Sequence, residues 1–514
     1  MNPLKIRAYT LSFLGVFLFF PSPVAAWRFP ITEHILKNGL RVLIVERHDS
    51  PTFSAHIRFP VGSANDPPGL SGLAHFVEHM MFKGTHLFGS TNPEAEVPLL
   101  DRLDSLQQAM SATPLDTTSA VEPLRLQEDY DQLISEARRF VVSNELWETY
   151  RRNGGTNINA VTLRDSTQYY VSLPKNRFEL WALLESDRLR SPVFRELSSE
   201  REVIREEYRQ MVEANASAFL LVSTYQVAFG ATPYRHPIWG WPADLQRITR
   251  QVAQDFAATY YVPNNAYVVL VGDLYPAEVL PLIERYFGDL PARTLPLPPS
   301  WHEPEQAALR RVNVNFPDEP QLAMLFQAPP YGPETEVLSL VASLLVNGRT
   351  SRLHKALVEE QRIATGITSD TSWFLKHAGL FTIIGLPRSP HSVEELEAGI
   401  WREIERLASM GISPAELERV QNQAELAVAR ETRSNTGLAA QLARAWDLNG
   451  DWRSLFTRQD RIRAITPEAI RQAVQRYLIP ARCTIGRLTR APGVPTAGGP
   501  PTGTTVPFES RDLE

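Results

Sequence analysis

The chain has 514 residues, 43% hydrophobic and 21% charged. That composition is ordinary for a globular protein, but it is too much chain for one core, so about two to four domains are expected. The formal net charge of −6 and the absence of a long basic run argue against a nucleic-acid surface, and Cys483, the only cysteine, leaves no intrachain disulfide.

The N-terminus reads as an export signal. Lys5 and Arg7 precede an apolar run from Tyr9 to Phe20, and Val24-Ala25-Ala26 offers small residues for cleavage after Ala26. The run is brief for a bilayer span, so a cleaved signal and a periplasmic destination are favoured over an uncleaved membrane anchor. Glu33 to Val45 then has a strand–turn–strand pattern around Lys37-Asn38-Gly39, and Phe53 to Val61 reads as a further strand. A loop from Gly62 to Gly69 leads into a helix bearing His75-Phe76-Val77-Glu78-His79. Two histidines four apart share one helix face, so both imidazoles reach a single zinc ion. Glu78 projects to the same side and is able to take a proton from a metal-bound water. The order is the inverse of the commoner His-Glu-x-x-His motif.

From about Glu94 to Trp147, apolar residues recur at helical spacing among many charges on either side of a turn-rich gap at Ala112 to Ser119, which predicts a helical hairpin. Asn153-Gly154-Gly155 is a turn. Thr156 to Leu173 alternates like a pair of strands with a tip at Asp165-Ser166, and helices follow from Arg177 to Leu189 and from Leu197 to about Asn215. Phe256 to Tyr261 ends a helix before a strand at Tyr267 to Val271, and the proline-rich stretch 291–304 reads as an extended linker.

The second half repeats the plan, with strands in Arg311 to Gln327 and Leu380 to Leu386. Helices are expected in Val337 to Glu359, Val393 to Met410 and Pro414 to Arg433. Tyr260-x-x-Pro263 before one strand is echoed by Tyr477-x-x-Pro480 before another at Cys483. The expected fold is therefore α+β: two related units, each a mainly antiparallel sheet with helices packed on it. The expected division is a signal at 1–26, a zinc-binding unit at 27–290 with a helical insertion at about 94–147, a linker at 291–304, a related unit at 305–490 and a disordered tail at 491–514 rich in Pro, Gly and Thr.

A catalytic zinc usually has three protein ligands and a water. The third ligand is expected to be a carboxylate of the helix Glu200-Arg201-Glu202-Val203-Ile204-Arg205-Glu206-Glu207, although for any one glutamate there the sequence alone favours a place on a solvated face.

Taken in order, these motifs resemble the pitrilysin, insulinase and mitochondrial processing peptidase family of inverted-motif zinc peptidases, in its elongated bacterial subgroup. The resemblance is carried by Gly72-Leu73-Ala74-His75-Phe76-Val77-Glu78-His79-Met80 with Phe82-Lys83-Gly84-Thr85, by Gly154-Gly155 before Asn157, Asn159-Ala160 and Thr162, and by Glu200-Arg201 with Glu206-Glu207. It implies half of a clamshell and a zinc endopeptidase acting on unfolded or extended peptides. His75, His79 and Glu207 would be the zinc ligands, with Glu206 the alternative third ligand. Glu200 would steer a ligand histidine, and Glu78 would be the general base. Asn157, Asn159, Ala160 and Thr162 would belong to an edge strand to which substrate adds.

The family also carries, in its second half, an arginine followed seven residues later by a tyrosine that bind the substrate carbonyl. Val358 and Thr365 stand at those places here. The expectation is a heterodimer in which a second related subunit supplies that pair, a homodimer being less favoured. The alternative is that Arg349, Arg352, Arg362 or Tyr331 substitutes from within the chain. An inactive-alone subunit or a chaperone-like scaffold of the same family is the competing class.

Overall fold

The computed structural model describes residues 29–112, 121–298, 300–369 and 375–490. The expected signal at 1–26, most of the turn-rich gap in the insertion and the tail from 491 lie outside these residues. The fold is mixed α+β, built on two mainly antiparallel sheets.

The first sheet starts with β1 (Ile31–Ile35), β2 (Arg41–Glu46) and β3 (Thr52–Phe59). Helix α1 (Leu73–Met80) follows, then α2 (Pro93–Ala112), α3 (Val121–Arg138) and α4 (Glu145–Arg152). The antiparallel pair β4 (Thr156–Thr162) and β5 (Thr167–Pro174) turns at Leu163–Ser166. Helices α5 (Phe178–Arg190) and α6 (Leu197–Tyr208) come next, and α6 runs on through a π-helical turn into α7 (Ala216–Ala228). Helices α8 (Pro242–Leu245) and α9 (Arg250–Tyr260), strand β6 (Tyr267–Gly272) and α10 (Pro276–Phe287) complete the series. The strand order is β1-β2-β6-β3-β5-β4, with β2 and β6 parallel.

The second sheet is made of β7 (Arg310–Phe316), β8 (Gln321–Ala328), β9 (Ala364–Thr368), β10 (Gly379–Pro387) and β11 (Cys483–Arg490). Between β8 and β9 lies α11 (Pro333–Leu345). After β10 come α12 (Val393–Met410), α13 (Pro414–Glu431), α14 (Asn435–Asn449), α15 (Arg458–Arg463) and α16 (Pro467–Tyr477). The order β7-β11-β8-β10-β9, with β7 and β11 parallel, reproduces β2-β6-β3-β5-β4 strand for strand and direction for direction. The echoed Tyr-x-x-Pro segments both lie at a helix end, where Tyr260 closes α9 and Tyr477 closes α16. Each is followed by a short 3-10 turn into the strand.

One face of each sheet is covered by helices of its own series. Phe76, Trp181, Ile204, Phe256 and Ile283 cover the first, and Leu338, Ile400, Ile470 and Val474 the second. The opposite faces are covered by exchange. Helix α7 lays Leu220, Leu221 and Tyr225 on Ala323, Leu325, Leu380 and Leu488 of the second sheet. Helix α14 lays Leu438, Leu442, Ala443 and Trp446 on Leu43, Val45, Val269 and Val271 of the first. Each fully buried leucine in these seams stabilises the fold by about 1.5–3 kcal/mol. Polar links join the same seams. Arg58 Nε donates to Asp447 Oδ2 at 3.0 Å, Ser217 Oγ donates to Gln321 Oε1 at 2.6 Å, and His56 Nε2 lies 3.0 Å from Thr436 Oγ1. Sequence patterning did not find α7, because a helix that is apolar all round has no polar stripe to betray its period.

Close approach of α7 requires Gly486 on β11, where an added Cβ would lie 2.1 Å from Thr224 Oγ1 and 2.9 Å from Leu220 Cδ1. Gly486→Ala is predicted to lower stability by about 1–3 kcal/mol through overpacking. It should appear as a lower urea midpoint at unchanged slope, and an unchanged midpoint would show that α7 is free to shift.

Candidate metal centre

Helix α1 begins where the backbone of Gly72 takes a left-handed conformation at φ 88°, and a Cβ there would meet Trp239 O at 2.5 Å. Asp66 caps it, accepting from the N–H groups of Gly72 at 2.7 Å and Ala74 at 2.8 Å. Anchored in this way, α1 buries Leu73, Phe76, Val77 and Met80 in the first core, which leaves His75, Glu78 and His79 along its other side. Helix α6 is fixed across from it by Ile204, which is fully buried, whereas Val203 is 44% exposed.

This packing brings three candidate ligands together. His75 Nε2 and His79 Nε2 each lie 3.7 Å from Glu207 Oε2. Those separations are too long for hydrogen bonds but suit nitrogen and oxygen ligands that each sit about 2.0–2.2 Å from one ion. Among the described residues, His75, His79 and Glu207 form the one group of histidine, cysteine and carboxylate side chains spaced to hold a metal. Glu206 points away, held by Arg209 and Gln210, and the Arg209 guanidinium pulls its carboxyl down to about 2.

Glu200 Oε2 lies 3.1 Å from His79 Nδ1, and its other oxygen is paired with Lys83 Nζ, which also sits 3.6 Å from Glu196. Glu78 accepts a hydrogen bond of 2.6 Å from Thr162 Oγ1 on β4. Burial pushes the carboxyls of Glu78 and Glu207 upward, opposed at both by the nearby His79. Burial, with His79 beside it, holds His75 neutral by driving its pKa well down. At His79 burial also acts downward, but the hydrogen bond its Nδ1–H donates to Glu200 and the charges of Glu78 and Glu207 outweigh it and raise the pKa. At Glu200 burial acts upward and is outweighed by His79 and Lys83. Two imidazoles are thus surrounded by three carboxylates in a half-buried space, and a divalent cation suits that donor set. The Glu207 side chain is 38% exposed against 11% for His75, so the centre opens to solvent on the α6 side.

The expected substrate edge lies next to this group. β4 is the terminal strand of its sheet, and α1 packs against it. Its pairing with β5 is interrupted between Thr156 and Asn159, where Asn157 adopts φ 49°, a left-handed conformation that asparagine tolerates. Asn157 is exposed, Asn159 half-buried, and Ala160 and Thr162 buried. The second half contributes less than its arginine content suggests. Val358 lies on a π-helical segment and Thr365 on β9, while Arg352 is committed to Glu416 at 2.9 Å and to Gly411 O at 2.9 Å. The roles of Asp66 and Lys83 were not read from sequence. Lys83 stands inside a recognised motif, but nothing in the motif says which carboxylate it meets.

Residues 41–97, which include His75, Glu78 and His79, match the family profile described as insulinase (peptidase family M16), and residues 247–424 match the one described as the peptidase M16 inactive domain. The chain is 25% identical over 395 residues to a zinc protease, PqqE, of Helicobacter pylori, covering 75% of this chain and 76% of that protein. It is 23% identical over 461 residues to a probable mitochondrial-processing peptidase subunit beta of Arabidopsis thaliana, covering 86% and 75%. Among solved structures, a protease from Helicobacter pylori matches with a TM-score of 0.74 at 22% identity, covering 90% of this chain and all of that one. The first half of the periplasmic protease PqqL of Escherichia coli matches with a TM-score of 0.66 at 19% identity, covering 89% and 92%. Of the full PqqL chain, this chain covers 48%.

Metal analysis after dialysis is predicted to find one zinc per chain. His75→Ala, His79→Ala and Glu207→Ala should each abolish it, and Glu206→Ala should leave it intact. Glu200→Gln should weaken binding about 10–100-fold by freeing the His79 ring. Stoichiometric zinc in the Glu207→Ala protein would remove α6 from the ligand set.

Proposed function

The chain belongs to the pitrilysin/insulinase (M16) family, and from that premise we propose that it is a zinc-dependent endopeptidase of extended or unfolded peptides, with Glu78 as its general base. The observation that carries this reading is the meeting of His75 and His79 with Glu207, one helical step from a carboxylate that Thr162 holds in place. Zinc, when bound, supplies Lewis acidity, acidifying a water and polarising the scissile carbonyl. Glu78 accepts the proton of the attacking water as its oxygen bonds to the carbonyl carbon, and returns a proton to the leaving nitrogen as the C–N bond breaks. Burial favours this return by making the protonated form of Glu78 accessible. The open edge of β4 is suited to pair through its backbone with an extended peptide, which recognises shape more than sequence. Asn157, Asn159, Ala160 and Thr162 border that edge.

The second half offers no oxyanion donor at the two positions that match the family's arginine and tyrosine. Val358 and Thr365 offer no cationic or phenolic donor, and Arg352 is engaged elsewhere. A related second subunit that brings an arginine and a tyrosine is therefore part of the proposal. The chain's coverage of about half of the longer PqqL, at 48%, supports a half-molecule that works in a pair. A periplasmic location is proposed from the export-like N-terminus and from the likeness to the periplasmic protease PqqL. No helix among the described residues is long and apolar enough to cross a membrane.

A quenched fluorescent peptide and the zinc-loaded chain test the proposal. Glu78→Gln should keep its zinc and lose turnover. Thr162→Val should lower kcat about tenfold with little change in KM, because it releases Glu78 without touching the metal. Adding the partner should raise kcat by about 10²–10³-fold, the worth of an oxyanion donor. Equal rates with and without the partner would reject the shared site, and zinc-dependent turnover surviving in Glu78→Gln would reject the assigned base.

A further inference from the structure

A buried ion pair ties the helical insertion to the segment that enters α6. Arg195, in the segment just before α6, and Glu96, on α2, are both completely buried, and Arg195 Nε donates to the two Glu96 oxygens at 2.9 and 2.8 Å. The rest of the guanidinium grips the loop that follows α1. Nη2 donates to Thr85 O at 2.8 Å, and Nη1 donates to Lys83 O at 3.2 Å and Phe88 O at 3.5 Å. Gly84 makes room for it, since a Cβ there would lie 2.9 Å from Nη1. The same segment is pinned by Val193 N–H donating to Gly84 O at 3.0 Å and by Phe194 in the core.

Lys83 is thus held twice. Its carbonyl is bound by Arg195, and its ammonium pairs with Glu200, whose carboxylate meets His79. The insertion clasps the start of α6 at a second point, where Arg138 Nη2 donates to Ser199 Oγ at 2.6 Å, and it also reaches α9 through Asp101 and Asp104 on Arg250. A charge this deeply buried needs a counter-charge, and Glu96 of the insertion is that counter-charge.

We propose that Arg195, balanced by Glu96, is a positioning residue for the metal centre, locking the loop after α1 to the entry of α6 so that His75 and His79 meet Glu207. On this reading, which rests on the proposed metal site, the insertion is a buttress behind the ligands.

Two variants of the full chain separate positioning from bulk stability. Arg195→Lys keeps the charge for Glu96 but gives up the forked grip on the loop carbonyls. The double variant Arg195→Met/Glu96→Leu replaces the ion pair by apolar side chains, a change that often preserves stability. Zinc affinity is measured by competition with a chromogenic chelator, ligand geometry by the visible spectrum of the cobalt(II) form, and stability by thermal unfolding of the metal-free protein. Both variants should bind zinc about 10–100-fold more weakly than the unsubstituted protein and show altered cobalt bands. The metal-free double variant should unfold close to the unsubstituted protein. A folded variant with zinc affinity within about twofold and unchanged cobalt bands would overturn the proposal. If the double variant does not fold, Arg195→Lys decides by the same criterion. An unsubstituted protein that takes up no zinc would instead overturn the metal-centre reading beneath it.

Discussion

Val42–Val45 on β2 and Val268–Val271 on β6 are buried on both faces of the first sheet, so a single layer of helices cannot complete its fold. Five strands of the second sheet repeat the arrangement, and there too β8 is buried along its whole length. Each series places most of its helices on one face. The remaining face must be covered from elsewhere, and α7 and α14 do so by crossing reciprocally. Separating the halves would expose two apolar sheet faces and two apolar helices at once. It would also strip Arg58 of Asp447 and Ser217 of Gln321. The helices that carry the candidate ligands therefore stand on a frame to which the second half contributes a structural layer.

Within that frame the two halves have the same topology and different chemistry. Helix α1 and helix α11 each follow the central strand of their sheet, β3 and β8. α1 is reached through a loop of 13 residues, Pro60 to Gly72, that supplies the cap Asp66, whereas a loop of only four residues, Pro329 to Gly332, separates β8 from α11. Its inner side is filled by Leu338, Val341, Leu344 and Leu345. Glu336, the buried carboxylate of α11, is taken by Arg461. Where α1 presents two imidazoles and a carboxylate to α6, α11 presents hydrocarbon. The repeat preserved the packing that needs apolar area and not the polar constellation, because sheet and helix packing tolerates any well-fitting side chains while a metal site depends on each ligand atom.

The legible parts of the sequence were those with strong local signatures. The alternation in Thr156 to Leu173 and the turn at Asp165-Ser166 are set by neighbours in the chain, and the strands β4 and β5 stand there. The repeated Tyr-x-x-Pro segments also lie at equivalent helix ends. His75, Glu78 and His79 share a face because four residues make about one turn. Helix α7 and the exchange it takes part in were not legible, since Ala216–Ala228 has no polar face and its partner surface is assembled from distant strands, at Ala323, Leu325, Leu380 and Leu488. The choice between Glu206 and Glu207 also lay beyond helical spacing, because adjacent residues differ by 100° around a helix and only the packing of Ile204 decides which one turns inward. Arg195 reads in sequence as one more surface charge. Its complete burial depends on Glu96, ninety-nine residues earlier, and no local pattern announces that pairing.

The site's electrostatics and its geometry point the same way. Glu78, Glu200 and Glu207 crowd two histidines, and only Glu200 has a full cationic partner, in Lys83. The carboxylate proposed to orient a ligand is thus neutralised by a side chain, while those proposed to face the ion and the reacting water are met by histidine. Thr162 adds a constraint from the substrate side. It is the last residue of the open strand β4, and its hydroxyl holds Glu78. A peptide that pairs along β4 would be registered by the same backbone that registers the base, so the distance between scissile bond and carboxylate is fixed by one strand instead of by two independently moving parts. That coupling fits binding that is loose about sequence and strict about extension, since the main chain alone sets where the bond lies.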